Sequence, residues 1–103
     1  MFEYLEFTRV PGTRKDKDLI MLALSTCGFC RRAKEFLAEH QVEYRYVDVD
    51  SLDPEIKKQI RADFTEKFKK IITFPALIMD GEDMLTGFIK PSWVDHLGLG
   101  EKG

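Results

Sequence analysis

Metal-binding side chains are scarce in this sequence, which holds only two cysteines and two histidines. A structural zinc site draws on four protein ligands. His40 and His96 lie far apart and have no paired spacing, so no metal centre is expected within one chain. Charge of one sign is not concentrated either. The 16 Lys and Arg are scattered among 18 Asp and Glu, for a formal net charge of −2. That leaves no basic footprint for a nucleic acid. No apolar run approaches the length that crosses a bilayer. The start, Met1-Phe2-Glu3-Tyr4-Leu5-Glu6, carries acids where an export signal would be basic and then apolar. A cytoplasmic protein is the expectation, without nucleic-acid or membrane partners and monomeric. No internal repeat and no low-complexity segment is found.

What the sequence does contain fits one globular domain. Its 103 residues are 44% hydrophobic and 33% charged, enough for a single core under a polar surface. Both cysteines fall in one short stretch, Cys27-Gly28-Phe29-Cys30. The apolar run Leu19–Leu24 before it reads as a buried strand, Ser25-Thr26 as a break, and the residues after it as a helix to about His40. Strand, turn, Cys-x-x-Cys and helix together form the sequence pattern of a thiol–disulfide redox site. The reason is local. A cysteine at a helix N-terminus faces unsatisfied backbone N–H groups and the positive end of the helix dipole. Both favour thiolate over thiol, and the thiolate is the nucleophile. Cys27 precedes the helix and is the expected attacking sulfur. Cys30, one turn further in, is the expected resolving partner. Gly28 is read as relieving a tight turn, and Phe29 as an apolar surface beside the sulfurs. Half of a zinc site, or two inert buried cysteines, fits this placement less well.

Around that centre the chain divides into an N-terminal extension, residues 1–18, and a domain over residues 19–103. Phe2–Val10 favours an extra strand, followed by a Pro11-Gly12 turn and the charged connector 13–18. Ala33, Phe36 and Leu37 mark the buried face of the first helix. Arg31, Arg32 and Lys34 ride its early turns, on a solvated face that also lends positive potential to Cys27. Val42–Asp50 alternates as a strand. The acids Asp48 and Asp50 near its end are read as turn residues rather than a metal or acid–base pair. Asp53-Pro54 opens a second helix, in which Ile56, Ile60, Phe64 and Phe68 repeat every fourth residue. Pro75 inside Ile71–Met79 lacks a ladder N–H, which places it in a bend at the strand's start, with a cis bond. Asp80-Gly81 signals a hairpin turn into a strand over 82–88. Lys90-Pro91-Ser92 starts a last helix that Gly98 and Gly100 end.

From Leu19 to Leu97 this order resembles the glutaredoxins and glutaredoxin-like redoxins. The matching residues are Cys27-Gly28-Phe29-Cys30, Thr73-Phe74-Pro75, and Asp80-Gly81 followed by Gly87-Phe88. The resemblance implies a thioredoxin-like α/β fold, a mixed four-stranded sheet flanked by three helices; the extension, outside the resemblance, would add an N-terminal strand. It implies a dithiol oxidoreductase acting on protein or low-molecular-weight disulfides. Phe29, Thr73, Phe74, Pro75, Gly87 and Phe88 would line the substrate site, the backbone of Phe74 pairing with the substrate or with glutathione. No bound cofactor is implied. Glutathione or a thioredoxin-reductase-like enzyme would be the reductant. Relatives with Cys-Gly-Phe-Ser carry an iron–sulfur cluster between subunits, and that is the alternative function. Two features depart from the family. Leu24-Ser25-Thr26 occupies the place of a lysine, and Leu85–Lys90 offers one glycine and no Asp where Gly-Gly and Asp are usual. Weak glutathione binding is therefore expected.

Overall fold

The structure, a computed structural model, describes residues 2–99. Strands β1 (Thr8–Val10), β2 (Leu19–Ala23), β3 (Tyr44–Asp48), β4 (Ala76–Met79) and β5 (Asp83–Thr86) form one sheet in the order β1-β3-β2-β4-β5. Helices α1 (Gly28–Glu39), α2 (Pro54–Phe68) and α3 (Lys90–Leu97) cover it. β2 and β3 run parallel, and the other neighbours are antiparallel. The fold is thioredoxin-like, with the extra N-terminal strand on the outer edge beside β3.

The central strand is buried along its whole length, and its alternation feeds two cores. Leu19, Met21 and Ala23 point to one face, where Cys30, Ala33, Phe36 and Leu37 of α1 and Trp93 and Leu97 of α3 pack. Ile20 and Leu22 point to the other, against Ile60 and Phe64 of α2. Leu77 and Met79 of β4 join the first core, and Ala76 and Ile78 the second. This is the period-2 logic of a strand covered on both sides.

Several expected elements are shorter than the pattern suggested. Phe2–Val10 pairs only over Thr8–Val10. Phe2 takes a positive φ of 65°, and its ring is buried with Leu5 in the α2-side core. Strand pairing yields there to side-chain anchoring. Val42–Asp50 is a strand over Tyr44–Asp48, followed by a single 3-10 turn at Val49–Ser51. The strand read over Ile71–Met79 begins only at Ala76, after a cis Phe74–Pro75 bond. Asp53 stands at the N-cap of α2, but its side chain makes no capping bond. Asp80 and Gly81 both have positive φ, 55° and 72°, as the hairpin requires. Gly98 caps α3 in the left-handed region, whereas Gly100 lies outside the described residues.

Strand direction gathers the functional segments. The C-terminal ends of β2, β3 and β5 and the N-terminal end of β4 share one edge of the sheet. The Cys27 turn, the Val49–Ser51 turn and Gly87–Ile89 leave from there, and Thr73–Pro75 enter there. Among the described residues no helix is long and apolar enough to cross a membrane.

Candidate active site

Cys27 is the N-cap of α1, with extended backbone (φ −98°, ψ 119°). Its Sγ accepts the backbone N–H of Cys30 at 3.1 Å. A sulfur thus does what Ser or Asp does at an ordinary helix start, and the amide and the helix dipole both suit an anion there. The Cys27 carbonyl accepts from the Arg31 amide at 3.0 Å, the first turn of the helix. The sulfur that caps is therefore fixed by the helix it starts.

Cys30 is different. It is buried at 1% exposure, whereas Cys27 is half-buried, and both are free thiols. The Leu24 amide donates to Cys30 Sγ at 3.5 Å. Burial pushes the Cys30 thiol up to about 12, and its hydrogen bond to Cys27 adds to the rise. The Leu24 amide and the charge of Lys34 oppose it. Near neutral pH Cys30 is a thiol whose hydrogen bond is directed at its neighbour's sulfur.

The turn between β2 and α1 is clamped from the 3-10 turn that follows β3. Ser25 donates to Asp50 twice, from its N–H at 2.9 Å and from its Oγ at 2.6 Å. These bonds hold the Asp50 carboxyl below its ordinary value. Sequence reasoning saw Asp50 as a turn residue. What it missed was the partner, which lies 25 residues earlier and meets Asp50 only because β2 and β3 run parallel.

The other expected site residues lie at the same edge but differ in what they offer. Phe29 is 57% exposed, one residue before Cys30. Gly28 has open space where a Cβ would stand and no positive φ, so the turn does not demand a glycine there. Thr73 is exposed and Phe74 half-buried, while Pro75 is fully buried. The β2–β4 register pairs Leu22 with Ala76, so continuing it brings Pro75 and Phe74 alongside Ala23 and Leu24. The Pro75 carbonyl accepts from the Gly87 amide at 2.8 Å. Trp93 Nε1 donates to the Gly87 carbonyl at 3.0 Å. Phe88 is turned inward, with its ring 5.4 Å from Phe36 and 5.0 Å from Trp93. Ile89, next along, is 61% exposed in its place.

The sequence profile of the Glutaredoxin family matches residues 13–84. The chain belongs to the glutaredoxin family. Solved structures agree. A glutaredoxin from Methanosarcina mazei Go1 is 26% identical, covers 91% of this chain over 89% of its own, and superposes with a TM-score of 0.76. Methanoredoxin from Methanosarcina acetivorans is 29% identical over 84% of this chain and 90% of its own, with a TM-score of 0.73. A dithiolic glutaredoxin from Trypanosoma brucei brucei, 22% identical with a TM-score of 0.63, shares the fold. No curated protein sequence matches the chain. Family and fold together support thiol–disulfide oxidoreductase chemistry. Glutaredoxins act on disulfide substrates with glutathione or a reductase as partner.

Proposed function

We propose that this chain is a dithiol oxidoreductase of the cytoplasm that reduces protein or small-molecule disulfides through Cys27-Gly28-Phe29-Cys30. Cys27 thiolate attacks one sulfur of the substrate disulfide, and the other sulfur leaves as a thiolate. Cys30 then gives up its proton and attacks Cys27 Sγ. The Cys27–substrate bond breaks, an internal disulfide forms, and the substrate has gained two electrons. Glutathione or a protein reductase returns them. The chain works as a monomer, with no resident cofactor.

The observation that carries this reading is the asymmetry of the two sulfurs: one caps a helix and is half-open, and the other is buried beneath it. Among the described residues two of the four exposed large hydrophobic side chains, Phe29 and Ile89, belong to segments of this edge, which suits a protein surface as substrate. Leu24-Ser25-Thr26, directly before the motif, holds no lysine, and Leu85–Lys90 has a single glycine and no Asp. A protein reductase is accordingly the better donor.

Single-cysteine variants test the assignment. Cys30→Ser attacks a disulfide and stops, so mass spectrometry finds a mixed disulfide on Cys27. Cys27→Ser forms no adduct and reduces nothing. Adducts on Cys30 in Cys27→Ser, with none on Cys27 in Cys30→Ser, would reverse the roles.

A further inference from the structure

The resolving step has a difficulty that the cysteine pair alone does not solve. Cys30 must ionise to attack, yet it is buried in an apolar core with Met21, Ala23, Ala33 and Leu37. Burial opposes a charge there. One cation stands near it. Lys34 is four residues further along α1, on the same side of the helix, where side chains at that spacing are neighbours.

Lys34 lies back against the sheet, with its side chain 28% exposed. Its Nζ lies 3.9 Å from the centroid of the Tyr46 ring, over the face of β3 that α1 covers. It stands 3.6 Å from Asp48 Oδ1. That oxygen is shielded from solvent and has no hydrogen-bond partner among the described residues. At 3.6 Å the contact is an ion pair rather than a hydrogen bond. Asp48 sits two residues after Tyr46 on β3, on the same face of the strand, and directly beside Ala23 of β2. Ala23 immediately precedes Leu24, whose amide points at Cys30 Sγ. A ring and a carboxylate thus hold one ammonium one turn away from the buried sulfur.

We propose that Lys34, held by Tyr46 and Asp48, is the positioning residue that favours ionisation of Cys30 in the resolving step. The inference rests on the redox role of the cysteine pair. Its timing is built into the site. In the free dithiol, Cys27 raises the Cys30 thiol both through their hydrogen bond and through its charge. Once Cys27 is bonded to the substrate, that charge is gone. The Leu24 amide and Lys34 remain to offset burial. The groups that face this pair are Cys27 from α1 and Tyr44, Tyr46 and Asp48 from β3. The facing residues of β4 and α3 are Leu77, Met79, Trp93 and Leu97, none of which titrates in this range. His96 of α3 is exposed and turned to its own Ser92 carbonyl at 2.9 Å.

The step balances without a further reagent. The Cys30 proton passes to solvent, the thiolate pair forms the Cys27–Cys30 bond, and the substrate thiolate departs with the electrons of the broken bond.

The test uses the reduced protein and an aryl disulfide, dithiobis-nitrobenzoate, which releases one coloured thiolate at each step. The first phase reports attack by Cys27 and the second reports resolution by Cys30. Lys34→Gln is expected to slow the second phase about threefold at pH 7 and leave the first nearly unchanged. A loss of about one pK unit would cost tenfold in thiolate, and the greater nucleophilicity of the more basic sulfur gives back about threefold, leaving a net loss of about threefold. Lys34→Arg keeps the charge and restores the second phase. In the Cys27→Ser background, alkylation of Cys30 by iodoacetamide at pH 8 slows in Lys34→Gln and not in Lys34→Arg, because the rate follows the thiolate fraction. An unchanged second phase and alkylation rate would overturn the proposal, as would equal slowing of both phases that arginine fails to restore. Absence of the first phase in the unsubstituted protein would instead refute the redox reading itself.

Discussion

The two faces of the sheet are filled in different ways. The α2 side is hydrocarbon: Ile20, Leu22, Ile60, Phe64 and Ile78, closed at one margin by Phe2 and Leu5. The side covered by α1 and α3 is interrupted. It carries a buried thiol, an indole N–H, a lysine over a tyrosine ring and a shielded carboxylate oxygen. The thiol, the indole and the lysine each have a partner met at one geometry, and the carboxylate oxygen has the lysine's charge. Burying a polar group is costly unless it is paired, so that face trades packing energy for placement. On the α2 side such pairs, Arg45 with Phe7 and Asp18 and Tyr4 with Asp63, lie at the rim, and the hydrocarbon interior supplies stability that the reactive face can draw on.

The largest effect should come from the α2 side. Phe64 is fully buried, with its ring 4.9 Å from Phe68. Phe64→Ala is expected to lower stability by about 3–5 kcal/mol, read by urea denaturation. The reaction of Cys27 with an aryl disulfide should be unchanged in the fraction that stays folded. A fall in that rate would break the division of labour between the faces.

A smaller loss is expected on the reactive face from Trp93→Phe, which removes the donor to the Gly87 carbonyl. Loss of one such hydrogen bond lowers stability by about 1–3 kcal/mol. The same glycine's amide holds the Pro75 carbonyl. Faster hydrogen exchange at Gly87 should therefore accompany the loss. A drop in stability with Gly87 protection intact would mean that the indole acts by volume alone.

The buried thiol gives a pH signature. The Cys30 thiol is raised from an ordinary value near 9 to about 12. Its contribution is fully present below the unfolded value and is lost as pH climbs towards the folded one, because the unfolded chain releases the proton first. Stability of the reduced protein should fall by about 1 kcal/mol between pH 9 and 10 from this group. The oxidised protein has no such thiol and should lack that part of the slope. Parallel curves for the two forms would show that Cys30 is not held as a buried thiol.

The smallest effect concerns the clamp on the turn. The Asp50 carboxyl is held down by the Ser25 hydroxyl and amide. That contribution is present above the ordinary carboxylate range and disappears as pH falls through the depressed value. The Ser25 amide resonance should move only in that acid range and should no longer do so in Asp50→Asn. Titration of Ser25 near neutral pH would assign the turn to another group.

How much of this was legible follows from the range of each interaction. The strand before Cys27, the helix after it and the Asp80-Gly81 turn are local patterns, and they were read closely. The bend at Pro75 was also legible, because a residue without an N–H has few places in a sheet. The N-terminal arm was not. Phe2 and Leu5 alternate imperfectly with their neighbours and suggested a strand, but their side chains serve the α2-side core from a turn. The pairs Ser25–Asp50, Lys34–Asp48 and Trp93–Gly87 were invisible for a related reason. Each residue was seen, but the partner is set by strand register and by the docking of α1 and α3, which composition and periodicity do not encode. Phe88 was expected at the substrate surface, and its contacts were equally invisible: the half-buried ring meets Trp93 edge-on and Phe36 at a tilt.

The central claim is that the two sulfurs differ, one a half-open helix cap and the other a buried thiol. The most direct measurement is brief alkylation of the reduced protein with iodoacetamide at pH 7, followed by mass spectrometry of the peptides. Because alkylation tracks thiolate and access, Cys27 should be modified roughly tenfold or more faster than Cys30. Equal rates, or faster modification of Cys30, would contradict the account.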